Sequence, residues 1–107
     1  MNVERIEHTA ALRRWTGNGN GNWFLLDIDG AAGQALAALA LMQKLERGSR
    51  RGFGAVKVAV QIGGTCWETS VFPQKSKDAF ILPVKAAVRN AENLGESDPV
   101  TVVLEPV

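Results

Sequence analysis

A chain of 107 residues, 46% apolar and 21% charged, is the size of one ordinary soluble domain spanning residues 1–107, which excludes tandem catalytic domains and leaves no room for a deep cleft between lobes. Twelve basic residues against eleven acidic ones give a net charge of +1 and no global field for nucleic acid or anionic membrane, so electrostatic binding has to come from a local patch. One cysteine excludes an internal disulfide and one histidine leaves little for metal or acid–base chemistry. No apolar run reaches the roughly 20 residues that cross a bilayer, so no membrane association is expected and the cytoplasm is the expected address.

Between Glu4 and Trp15, Ile6, His8, Ala10 and Leu12 alternate with Glu7, Thr9, Ala11 and Arg13, the period of one half-buried strand. Gly17-Asn18-Gly19-Asn20-Gly21-Asn22 tolerates positive φ and buries nothing, which predicts a loop that turns the chain back. Trp23 to Asp29 is aromatic and branched enough for the second arm of a hairpin, closed by Gly30 and Gly33. Ala35 to Leu45 consists of strong helix formers, with Gly48 placed for a C-terminal cap. This helix is apolar nearly all round from Leu36 to Met42, which predicts burial on more than one side or contact with a second copy in a homodimer. Glu46 to Gly52 reads as a basic surface loop.

Val56, Val58, Val60 and Ile62 alternate with Lys57, Ala59 and Gln61, and Gly63-Gly64 offers a two-residue turn into the alternating arm Thr65 to Phe72, ended by Pro73. Ala79 to Leu82 is a further short strand. Pro83 suits the first position of a second helix, along which Val84, Ala87, Val88, Ala91 and Leu94 recur, with Gly95 at its end. After the turn Glu96 to Pro99, Val100 to Glu105 alternates as a closing strand. The predicted fold is mainly β: a small, largely antiparallel barrel of about five to seven strands with two helices.

The residues Gly63-Gly64-Thr65, Trp67-Glu68-Thr69-Ser70-Val71-Phe72-Pro73, Phe80-Ile81-Leu82-Pro83-Val84-Lys85 and Val88-Arg89, in that order, resemble the bacterial domain-of-unknown-function family nineteen-oh-five. The likeness covers most of Trp23 to Glu105 and implies a small β-barrel with no established activity; in other chains such a domain sits beside a YdeI/OmpD-associated type domain. Ser97-Asp98-Pro99 departs from the family pattern, which tends to carry Gly-Asp before the last strand. The tail from Phe80 to Val103 is also similar to half of a swapped-hairpin transcription factor of the AbrB or MazE kind, which motivates a nucleic-acid reading by analogy.

Few polar residues form a pattern that carries chemistry. Cys66 and His8 are the types needed for a nucleophile and its base, but Cys66 sits in a strand pattern beside Trp67 and reads as a small buried residue, and His8 as a packed strand residue. Asp27 and Asp29 alternate on one strand face and with Glu68 would suit a hard cation, but no calcium-loop or zinc spacing accompanies them, so strand-end and cap roles are expected and no metal or cofactor. Gly63-Gly64-Thr65 lacks the lysine of a phosphate-binding loop and reads as a turn. Thr69 and Ser70 could hold a polar ligand, though neighbouring strand hydroxyls face opposite ways. Lys85 and Arg89, four apart on the second helix, place two cations side by side, joined by Arg50 and Arg51 from the basic loop.

No catalytic set emerges. The expected function is a non-catalytic module binding a small anionic ligand or a protein through Thr69, Ser70, Lys85, Arg89, Arg50 and Arg51. The alternatives are a dimeric nucleic-acid-binding regulator and, third, an enzyme acting on a small anionic substrate.

Overall fold

The computed structural model describes residues 5–15, 23–47, 55–74 and 79–107. Its elements are β1 (Ile6–Ala11), β2 (Arg13–Trp15), β3 (Trp23–Ile28), α1 (Gly30–Arg47), β4 (Val56–Ile62), β5 (Thr65–Pro73), β6 (Phe80–Pro83), α2 (Ala86–Ala91) and β7 (Pro99–Pro106). The seven strands form one antiparallel sheet in the order β1-β7-β4-β5-β6-β3-β2, curled into a half-barrel. The mainly β fold with two helices matches the sequence reading, and the β4–β5 hairpin around Gly63-Gly64 pairs from Val56↔Val71 to Ile62↔Thr65.

The alternation seen in the sequence is the alternation of burial. Val56, Val58, Val60 and Ile62 of β4, Val100, Val102 and Leu104 of β7, and Leu26 and Ile28 of β3 line the inside, while Lys57, Gln61 and Thr101 face out. Helix α1 lies against β1 and β4 and adds Ala32 and Leu36 to this core, with Ala35, Leu39 and Ala40 packed around them.

Four expectations are corrected. The predicted first strand is two, because fully buried Leu12 gives its backbone to the turn before β7 instead of to a ladder. Its N–H donates to Asp98 O at 2.9 Å and its carbonyl accepts Ser97 N–H at 2.8 Å. At this point the chain passes from β1, paired with β7 on one sheet edge, to β2, paired with β3 on the other. Helix α1 starts at Gly30, not Ala35: Gly30 takes φ +62°, which favours glycine, and Gly33 lies inside the first turn, donating to Asp29 O.

Pro83 closes β6 and does not open α2, since Leu25↔Pro83 is a ladder pair; the N-cap is Lys85 in extended conformation. Finally, α2 ends without Gly95. Asn93 takes φ +57°, its N–H donates to Asn90 O and the Leu94 N–H to Arg89 O, the two bonds of a Schellman close, in which asparagine replaces glycine.

Candidate functional site

Alternation along β5 separates the two hydroxyl candidates. Thr69 pairs with Val58 on the inner face, whereas Ser70 pairs with Lys57 on the outer face, so the two do not share a pocket. Lys85 is exposed at the start of α2. Arg89, one turn further on, is half-buried: its guanidinium lies over the Phe24 ring at 4.0 Å from the centroid, and Nε donates to Val84 O at 3.3 Å. Among the described residues neither Lys85 nor Arg89 has a carboxylate partner. Arg50 and Arg51 lie outside the described residues.

Lys85 has neighbours that periodicity did not reveal. The β3–β6 register runs from Ile28↔Phe80 to Leu25↔Pro83, and Val84 N–H donates to Phe24 O, so the next step places Lys85 opposite Trp23. Trp23 in turn pairs directly with Trp15 on β2. The two indoles are 57% and 49% exposed, far from the usual state of so large an apolar ring. By this register Trp15, Trp23 and Lys85 follow one another across three backbone lines, whereas Phe24, with the Arg89 guanidinium over its ring, faces the other side of the sheet with Leu26 and Ile28. The signal was in the sequence: the tryptophans flank the Gly-Asn segment symmetrically, and a hairpin across it has to pair them.

Two open cavities lie elsewhere. One, about 360 Å³ on the outer face of β4, β5 and β7, is lined by Arg5, Gln61, Cys66, Glu68 and Glu105 among others. Cys66 is exposed there, opposite Gln61, which overturns its reading as a buried thiol: β5 turns its even-numbered residues outward here. The other, about 540 Å³, follows the seam between β1 and β3, with His8, Arg13, Asp27, Asp29 and Glu96 in its wall. His8 Nε2 lies 3.1 Å from Asp27 O and 3.6 Å from Asp29 Oδ1, so His8 ties β1 to β3 and lies away from Cys66.

Asp27 is engaged on both oxygens. Arg13 donates Nε to Oδ2 at 2.8 Å and a terminal nitrogen to Oδ1 at 2.9 Å, and Gln74 Nε2 reaches Oδ1 at 2.7 Å. The Arg13 hydrogen bonds hold the Asp27 carboxyl below its ordinary pKa and raise that of Arg13. Glu68 stands on the outer face in the other cavity, and no three His, Cys, Asp or Glu side chains among the described residues are grouped to hold a metal ion.

No helix among the described residues is long and apolar enough to cross a membrane. No curated protein matches the chain. A family model does, over residues 8–104, from the histidine of the seam to Leu104 of β7, and the chain belongs to the family described as Domain of unknown function (DUF1905).

Proposed function

We propose that this chain is a non-catalytic binding module of the bacterial cytoplasm that takes an anionic ligand. The observation supporting this is the pair Lys85 and Arg89: two cations one turn apart, without carboxylate partners among the described residues, in a chain whose net charge of +1 supplies no background field. Arg89 is held rigidly by the Phe24 ring and the Val84 carbonyl, so its terminal nitrogens are oriented before any ligand arrives, which lowers the entropic cost of binding. Arg50 and Arg51 belong to the same reading as further cations, and Ser70, beside Lys57, as the hydroxyl on the outer face; Thr69 would serve a ligand on the inner face. Inorganic polyphosphate at low salt is expected to raise the melting temperature of the unmodified protein, and Lys85→Glu to remove that rise. Absence of binding to polyphosphate and to inorganic phosphate at low salt would reduce the pair to a solvated face.

A second reading, self-association through α1, is favoured by a different observation. Leu41, Met42 and Leu45 form one stripe at helical spacing and are 57%, 54% and 71% exposed. A two-fold contact that pairs this stripe with itself would cover it.

A further inference from the structure

The anion-binding reading of Lys85 and Arg89 leaves the class of ligand open, and the row Trp15–Trp23–Lys85 narrows it. The geometry points to single-stranded nucleic acid as the ligand, its bases stacked on Trp15 and Trp23 and its phosphate backbone met by Lys85. This inference rests on the proposed function and adds the tryptophans to it.

Directly opposed residues of an antiparallel pair stand about 5 Å apart on one face, so the two exposed indoles make a continuous aromatic surface. Lys85, one backbone line further on, brings positive charge to the edge of that surface.

A flat ring surface beside a cation matches a ligand that carries rings and negative charge at a regular spacing. An acidic peptide supplies the charge without the rings, and a neutral sugar supplies a flat face without the charge. A duplex has both, but its base faces are already stacked on one another, so only an unpaired strand can offer them. Asp27, on the same face of β3 as Trp23, is paired with Arg13 through a two-pronged bond.

The test uses the whole chain and a fluorescent oligothymidylate of about 12 nucleotides, followed by anisotropy and by quenching of tryptophan emission at low salt. Saturable binding is expected, with the matching duplex a poor competitor. Trp15→Leu and Trp23→Leu keep an apolar side chain and remove the stacking ring; each is expected to weaken binding by roughly five- to one-hundred-fold. Lys85→Glu is expected to weaken it and to flatten the salt dependence by about 0.7 in the log–log slope per lost phosphate contact.

Should polyphosphate and the oligonucleotide bind alike, with the tryptophan variants unchanged and Lys85→Glu impaired, the nucleic-acid assignment is overturned and the anion reading stands. Equal competition by polyglutamate also overturns it. If no polyanion binds at low salt, both fall together. Because both indoles are largely exposed, the leucine variants are expected to fold; Trp15→Phe and Trp23→Phe, which keep a ring, then have to retain most of the affinity, and their failure to do so counts against stacking.

Discussion

Ser97 donates its backbone N–H to the carbonyl of Leu12 at 2.8 Å while holding a left-handed backbone, φ +74°. That bond and its companion from Leu12 N–H to Asp98 O fix the point where the chain leaves one edge of the half-barrel for the other. A serine Cβ is strained in this conformation, whereas glycine adopts it freely. Ser97→Gly is therefore expected to stabilise the protein by about 0.5–1 kcal/mol, net of the larger unfolded-state entropy of glycine, as measured by urea denaturation. A loss of stability would show that the serine side chain contributes more than the strain it costs.

Gly63 makes the opposite case. It takes φ +59°, and a Cβ there would collide with the Glu92 carboxylate, which accepts the Thr65 hydroxyl at 2.6 Å and the Gly64 N–H at 3.3 Å. Gly63→Ala thus strains the turn and pushes away the group that ties it to the end of α2, and a loss of about 1–3 kcal/mol is expected. At Gly64 a Cβ would meet open space, and Gly64→Ala is expected to cost well under 1 kcal/mol in the same denaturation assay.

How much of this was legible depended on whether the information was periodic or relational. The β4–β5 hairpin could be read because valines at every second position and two glycines are local signals, and the structure pairs them in that register. The break at Leu12 could not: alternation continues through it, and only the distant Ser97-Asp98 turn takes its backbone out of the ladder. Pro83 fits a helix start and a strand end equally well by itself; its partner Leu25 decides. Cys66 was misplaced because alternation gives two faces without saying which is inside, and β5 exposes the face that holds Cys66, Glu68 and Phe72. Lys85 and Arg89 were legible as a pair, but their neighbours Trp23 and Phe24 lie on another strand and follow only from the register.

The Arg13–Asp27 bond predicts a pH dependence. Its hydrogen bonds lower the Asp27 pKa in the folded state, so the folded protein binds that proton less readily than the unfolded chain. The stabilisation is present above the ordinary carboxylate pKa, about 3.9, and is lost as pH falls through the lower folded value. Both side chains are partly exposed, which keeps the contribution at about 1 kcal/mol or less. Urea midpoints taken between neutral and acid pH should fall less steeply for Asp27→Asn than for the unmodified protein, and the two curves should converge at the acid end. Parallel curves would mean that the pair contributes nothing.

Cys66 is exposed on β5 beside the cavity of about 360 Å³, so its thiol is open to attack without unfolding. A maleimide at neutral pH should label the native protein to completion, with loss of the label in Cys66→Ser and little change in stability. Labelling that proceeds only in denaturant would place this strand the other way round.

Leu36 and Leu41 belong to the same helix but make opposite predictions. Leu36 is fully buried against the sheet, and Leu36→Ala is expected to cost about 2–5 kcal/mol through the lost contacts and the cavity left behind. Leu41 is 57% exposed, so Leu41→Lys removes almost no contact within the chain, and its effect on the monomer is expected to stay within about 0.5 kcal/mol. If α1 pairs with a second copy through Leu41, Met42 and Leu45, the unmodified protein should sediment as a dimer at micromolar concentration, its melting temperature should rise with concentration, and Leu41→Lys should abolish both behaviours. A protein that sediments as a monomer throughout this range, with a concentration-independent melting temperature that Leu41→Lys leaves unchanged, would rule out this contact and leave the stripe as ordinary exposed apolar surface.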